Sequence, residues 1–312
     1  MRLRPSTTAL AVTVGLLLDA RDPALAPLFP ERMRELAEAS VEHFPPRGSR
    51  IRRLLGRGWY RALMRAIERV TAPGIFLHYL MRKLYIEDAV RSALAELPPT
   101  GNQVVVIGAG FDTLGARIAL GASNGTIRVV EIDHAATQSV KRHALAPYGL
   151  PKGGFSFVEL DLTTRSLTEA LSDTRDFDAR APAVFVAEGL LMYLTPGQVA
   201  AFFRELHDLA APGSRIVFTF MESDRPDRIR FKNLSWWYAP LLDLWLRRLG
   251  EPMRWAIDRA DLGQWLDTTG WTLLDIADRD TFRTRYLVPA GLATRPLADG
   301  EYVGEATMEV CG

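Results

Sequence analysis

A chain of 312 residues with 48% hydrophobic and 24% charged side chains can bury a full core, which excludes a mainly disordered protein. Its net charge of +1 gives no overall reason to expect a nucleic-acid partner. The lone cysteine, Cys311, lies beside the C-terminus and closes no internal disulfide, so a reducing, cytoplasmic setting is expected.

Residues 9–18 form an apolar run behind a basic start, but Thr13 and Gly15 interrupt it and Pro27 follows the small-residue site at 24–26. It reads as a helix of the protein and not as a secretion signal. No run is long enough to span a bilayer, and no membrane partner is expected. Helical patterns follow near 6–19, 31–43, 51–70 and 75–96, punctuated by Pro23, Pro27, Pro45-Pro46 and Pro73-Gly74. They make an N-terminal helical cap over residues 1–100, ahead of an α/β core over 101–312.

In the third pattern Arg57, Arg61, Arg65 and Arg69 recur every four residues, with Leu55, Trp59, Leu63, Ile67 and Val70 towards the other side. A solvated arginine face over a buried apolar face is the expectation. The sharper alternative is a helix that lies on a membrane or touches nucleic acid. In the fourth pattern Arg82 sits in a largely apolar half, where its side chain is either exposed or turned into a site.

The stretch from Gln103 to His134 organises the rest. Val104 to Ile107 is a short continuous apolar run, suited to a parallel strand covered on both faces. Gly108-Ala109-Gly110 then turns sharply, with Asp112 or Thr113 available to cap the next helix. A second strand over 126–132 brings Glu131 and Asp133 to the carboxyl edge of the sheet, where α/β folds bind ligands and an acid can accept hydrogen bonds from ribose hydroxyls. A dinucleotide fingerprint needs a third glycine where Thr113 stands, and Gly115 falls two residues late. The turn suits a cofactor without phosphate, S-adenosylmethionine.

Further along, 135–147 reads as a helix and 155–160 as a strand ending in Asp161-Leu162, where the acid can meet an adenine amino group and the leucine its ring. Strand 183–187 leads into Glu188-Gly-Leu-Leu-Met-Tyr193-Leu, and Thr195-Pro196 starts another helix. After a strand over 214–220, residues 222–256 gather Trp236, Trp237, Tyr238, Trp245 and Trp255, a pattern suited to a lid over an apolar substrate or to simple packing. A helix over 258–268, a strand over 271–277 with a partner over 283–288, and a last strand over 307–310 complete the pattern.

With these residues in place, the chain resembles the leucine carboxyl methyltransferase family over nearly its whole length. The likeness rests on Arg82-Lys-Leu-Tyr-Ile-Glu-Asp-Ala-Val, Val-Val-Ile-Gly108-Ala-Gly110-Phe-Asp-Thr, Val-Glu131-Ile-Asp133-His-Ala-Ala-Thr-Gln, Asp161-Leu162 and Glu188-Gly-Leu-Leu-Met-Tyr193-Leu, in that order. It implies a class I, Rossmann-like methyltransferase: an α/β fold with a mostly parallel seven-stranded sheet, an N-terminal helical cap and an aromatic-rich lid. It implies that Arg82 binds the methionine carboxylate of S-adenosylmethionine and that Gly108, Ala109 and Gly110 line the methionine and ribose. Asp133 would hold the ribose with Glu131 nearby, Asp161 and Leu162 the adenine, and Glu188 would face the amino group. Tyr193 would border the reacting methyl.

Members that methylate a protein's C-terminal leucine carry a lysine in the first helix, and residues 6–18 here have no basic residue. The likeness therefore points to the bacterial branch that methylates carboxyl or hydroxyl oxygens of small, polyketide-type metabolites in secondary metabolism. A carboxylate acceptor needs no general base, whereas an alcohol or phenol does. His78 and His134 lie near the expected site without a compelling role, and Tyr193 would orient the acceptor. The rival readings are a non-catalytic binding subunit on this fold and a nicotinamide-dependent oxidoreductase. His43, His78, His134, His143 and His207 show no ligand spacing, so no metal site is expected.

Overall fold

The computed structural model describes residues 4–97, 102–122, 127–162, 165–223, 229 and 231–308. Thr126, Cys311 and the end of the strand expected over 307–310 lie outside them. The N-terminal patterns form α1 (Thr7–Asp19), α2 (Met33–Glu42), α3 (Gly48–Leu55), α4 (Gly58–Thr71) and α5 (Ile75–Glu96). Ser6 caps α1 by accepting from the Ala9 N–H.

The pattern over 51–70 is two helices, because Gly56 and Gly58 weaken helix propensity around Arg57, whose extended backbone (φ −89°, ψ 126°) starts a new axis. The apolar stripe of α4 is also not buried as expected. Trp59 is 63% exposed, and Leu63, Ile67 and Val70 are exposed with it. Arg65 instead turns inward to the buried carboxylate of Asp19 and to Glu68, while Arg61 donates to the Leu55 and Gly56 carbonyls at the end of α3. A buried acid and orphan carbonyls draw Arg65 and Arg61 in, Arg57 and Arg69 stay exposed, and the apolar stripe faces out.

The core is a seven-stranded sheet among the described residues, built from β1 (Gln103–Ile107), β2 (Arg128–Asp133), β3 (Phe155–Glu159), β4 (Ala183–Ala187), β5 (Arg215–Met221), β6 (Thr272–Ala277) and β7 (Glu301–Thr307). Its order is β3-β2-β1-β4-β5-β7-β6, with β7 antiparallel to both neighbours and the other pairs parallel. The order reverses direction between β1 and β4, which opens a crevice at their carboxyl ends.

Alternate residues of the strands serve two layers. Val104, Val106, Val184 and Val186 pack with Leu80, Met81 and Val90 of α5, so the last helix of the N-terminal region forms part of the sheet's own core. Val105, Ile107, Phe185 and Phe218 pack with α9 (Pro196–Leu209) and α11 (Arg259–Asp267). The helices α6 (Leu114–Gly121), α7 (Ala135–Leu145) and α8 (Leu167–Ser172) lie between successive strands in the chain.

The strand expected over 283–288 is helical. The Asp278 carboxylate accepts from the Asp280 and Thr281 N–H groups and starts α12 (Arg279–Phe282), and a wider helical turn continues through Leu287. Phe282 and Leu287 enter the core and the Tyr286 hydroxyl donates to Asp88 at 2.7 Å, a helical spacing that resembles alternation over a short window. The true partner of β6 is β7, which begins at Glu301 and not at Thr307.

Candidate cofactor and acceptor site

A cavity of about 1160 Å³ opens at the carboxyl edge of β1, β2 and β4. Its floor is the glycine turn. Gly108 (φ 69°) and Gly110 (φ 48°) take left-handed backbone that a side chain rarely adopts, and a Cβ on Gly108 would stand 3.2 Å from Leu190. The Gly108 and Ala109 N–H groups donate to the Ile132 carbonyl at 2.9 and 3.0 Å, and Gly110 N–H donates to Asp133 Oδ2 at 2.6 Å. Asp133 Oδ1 accepts from His134 N–H at 2.6 Å. Burial pushes the Asp133 carboxyl up from its ordinary value, and these N–H groups oppose the rise.

Asp133, Asp161, Leu162 and Glu188 all line the cavity with Gly108, Ala109 and Gly110. Glu131 does not. It points under α6, fully buried, where it meets Lys141 at 2.6 Å, and Gly115 leaves room for it: a Cβ there would stand 2.6 Å from Glu131 Oε1. The displaced glycine of the turn motif thus serves this buried pair.

Arg82 lines the cavity from α5 and is buried by three acceptor contacts' worth of geometry: its Nε and Nη2 both face Glu188 Oε1 at 2.8 Å, and its Nη1 meets Glu301 Oε2 at 2.5 Å. Its guanidinium also lies 5.4 Å from the centre of the Tyr79 ring. Lys83 extends the network, with Nζ 2.9 Å from Glu188 Oε2 and 3.2 Å from Asp112 Oδ2. Burial would raise the Glu301 carboxyl, but Arg82 and His78 outweigh it and bring it down to about 2. Burial raises Glu188 against the pull of Lys83 and Arg82.

Lys83, Asp112 and Glu301 had no site role in the sequence reading. Lys83 stands beside Arg82 in the same motif inside α5, and both side chains reach the Glu188 carboxylate. Asp112 read only as a cap, which it also is, accepting from the Thr113 and Leu114 N–H groups. Glu301 follows no motif and arrives through the antiparallel β7.

Much of the remaining lining is apolar. Met64 and Ile67 come from α4, and Leu241, Leu242, Trp245 and Leu249 from α10 (Ala239–Leu249), which belongs to the expected lid over 222–256. Residues 224–228 and 230 of that segment lie outside the described residues. Tyr193 stands in the wall, and burial pushes its hydroxyl and that of Tyr79 well above the ordinary phenol range. His134 also lines the cavity, but its Nδ1 accepts from Ala136 N–H as the cap of α7. His78 is buried behind the wall, 3.4 Å from Glu301.

A family model described as leucine carboxyl methyltransferase matches residues 20–207, more than half of the chain. A Mycobacteroides abscessus protein named "Putative S-adenosyl-L-methionine-dependent methyltransferase" is 28% identical over 242 residues, 77% of this chain and 75% of that protein. A Mycolicibacterium smegmatis protein of the same description is 30% identical over 197 residues, 60% of each chain, so the match spans three fifths of that relative. The crystal structure of a Thermobifida fusca protein described as a "putative methyltransferase" covers 98% of this chain and 96% of its own with a TM-score of 0.56, and at 17% identity it shows a common fold. The chain belongs to the leucine carboxyl methyltransferase family, whose members are S-adenosylmethionine-dependent methyltransferases.

Proposed function

We propose that this protein transfers the methyl group of S-adenosylmethionine to an oxygen of a small apolar molecule, with a carboxylate as the preferred acceptor. The observation that carries the reading is that one cavity is lined both by a charged cluster and by a broad set of apolar side chains. Its volume of about 1160 Å³ exceeds the range of about 300–1,000 Å³ usual for a single small ligand. Cofactor and acceptor can share it.

The charged cluster fits the cofactor. Two cations, Arg82 and Lys83, stand among three carboxylates, Glu188, Glu301 and Asp112, which leaves the cluster one negative charge in excess. S-adenosylmethionine has a zwitterionic amino-acid end and a sulfonium, a net positive charge, so the balance is complementary. In this reading Arg82 holds the methionine carboxylate by charge-assisted hydrogen bonds and Glu188 holds the ammonium. Asp133 takes the ribose hydroxyls, the glycine turn lets the cofactor approach the backbone, and Asp161 with Leu162 holds the adenine.

When bound, the cofactor supplies a methyl group already activated by the sulfonium. The protein's task is to hold an acceptor oxygen in line at about 3 Å and to keep water out. The Tyr193 hydroxyl stays protonated, so it can donate to the acceptor and orient it but cannot take its proton. A carboxylate arrives already ionised, which is why the site favours it over an alcohol. A cytoplasmic setting, expected from the lone cysteine, belongs to the same proposal.

The test is label transfer from methyl-labelled cofactor to a panel of apolar carboxylic acids and phenols. Label recovered in a base-labile ester is the expected result. Normal cofactor binding with no transfer to any acceptor would sink the reading in favour of a non-catalytic subunit.

A further inference from the structure

The outward face of α4 and the lid is strongly apolar for a surface. Trp236 is 83% exposed, Leu241 55% and Val70 54%, and Trp237, Leu244 and Trp245 are exposed beside them. The two parts form one surface, because the Ser235 N–H donates to the Thr71 carbonyl at 2.9 Å and its hydroxyl to the Val70 carbonyl at 2.7 Å. Ile67, Leu241, Trp245 and Leu249 are exposed and also line the cavity, so the apolar surface runs over the rim into the cavity.

The flanks of this surface carry positive charge. Residues 47–70 hold eight arginines against one acid, Glu68, in a chain whose net charge is only +1. Arg53, Arg57, Arg69 and, on α10, Arg248 are exposed and have no carboxylate partner among the described residues. Tryptophans in an apolar face with arginines at its edge are the side chains that hold a helix in the headgroup region of an anionic bilayer. A second copy of the chain fits poorly, because a two-fold contact through this face would set arginines against arginines.

We infer that the joined outer face of α4 and α10 docks on an anionic lipid surface, with the cavity mouth turned towards the lipid. This departs from the expectation of no membrane partner because the stripe expected to be buried faces out. Docking here is peripheral: no helix among the described residues is long and apolar enough to cross a membrane. The inference does not depend on methyl transfer, although an apolar acceptor dissolved in lipid would give the docking a use.

Vesicle flotation of the whole protein tests it, using phosphatidylcholine alone and phosphatidylcholine mixed with phosphatidylglycerol. The expected result is binding to the mixed vesicles about tenfold or more tighter, weakened by salt and accompanied by blue-shifted tryptophan emission. Arg53→Glu/Arg57→Glu should abolish the preference for anionic lipid, and Trp59→Ala/Trp236→Ala should abolish binding. Both variants should keep calorimetric affinity for S-adenosylmethionine, which shows that the fold is intact. A wild-type protein without preference for the anionic vesicles overturns the inference. So does a dimer seen by light scattering that Trp59→Ala/Trp236→Ala dissociates, because the face then belongs to a second copy. Label transfer that persists while vesicle binding fails removes the docking and leaves the proposed reaction standing.

Discussion

The guanidinium of Arg82 and the carboxylate of Glu301 are 219 residues apart in the chain and 2.5 Å apart in the fold. The contact ties α5 to β7 and belongs to the charged cluster of the cavity. Removing one member of such a cluster strands the others without a counter-charge. Arg82→Ala should therefore lower the unfolding free energy by about 3–5 kcal/mol in urea titration. Arg82→Ala/Glu301→Gln should recover part of that loss without recovering cofactor affinity. Equal stability of the single variant and wild type would show that the cluster is not coupled.

Asp133 is held by two backbone N–H groups, so its position does not depend on a ligand. Asp133→Asn removes the charge and keeps the shape. Calorimetry should show S-adenosylmethionine binding weakened by about 10–100-fold, the equivalent of losing hydrogen bonds to a charged group. Unchanged affinity would move the ribose site elsewhere.

Tyr193→Phe separates orientation from proton transfer. With labelled cofactor and a carboxylate acceptor, turnover should fall by about tenfold through misplacement of the acceptor, and the shape of the pH profile should stay as in wild type. A vanished basic or acidic limb would instead give the hydroxyl a titrating role.

Gly115 and Gly121 sit in the same helix with opposite surroundings. A Cβ at Gly115 would press on Glu131 Oε1 at 2.6 Å and Val129 Cγ1 at 3.0 Å, whereas nothing lies within 4 Å of one at Gly121. Gly115→Ala should cost about 1–3 kcal/mol by overpacking the Glu131–Lys141 pair. Gly121→Ala should be neutral or stabilise by up to about 1 kcal/mol, and thermal melts of the two variants would check the contrast.

Asp19 gives a pH signature. Burial raises its carboxyl from 3.8 to about 7, against the opposing charge of Arg65. The fold thus prefers the protonated form, whose contribution is complete below pH ~4 and is lost as pH rises to about 7. Asp19→Asn stays neutral throughout. Wild-type stability minus that of Asp19→Asn should decline from pH 4 to 7 and then level off, and a difference that rises over that window would reverse the assignment.

The parallel half of the fold was legible because its strands are buried on both faces and its turn needs glycine. Val104 to Ile107, Gly108 and Gly110 follow from those two demands alone. The antiparallel half was not. β7 carries Glu301, Gly304 and Glu305 among its apolar residues, and the segment 283–288 alternates while forming a helix whose start is fixed by Asp278. The faces of α4 were misjudged for a related reason: periodicity gives the stripes, but only the positions of Asp19 and the α3 carbonyls decide which stripe is inward. Arg82 and Asp133 lie in local motifs and line the cavity, whereas Glu301 is brought there by a long-range strand pairing that no local pattern encodes.

The segment 231–255 is fastened at two points to the N-terminal helices. Ser235 bonds to the end of α4, and Glu251, just past α10, accepts from the Ser6 and Thr8 hydroxyls at the start of α1. The cavity wall is therefore shared by two distant stretches of gene whose changes are coupled. A chimera that imports another relative's 231–255 segment alone would inherit mismatched fastenings, whereas exchange of residues 4–71 together with 231–255 keeps them matched.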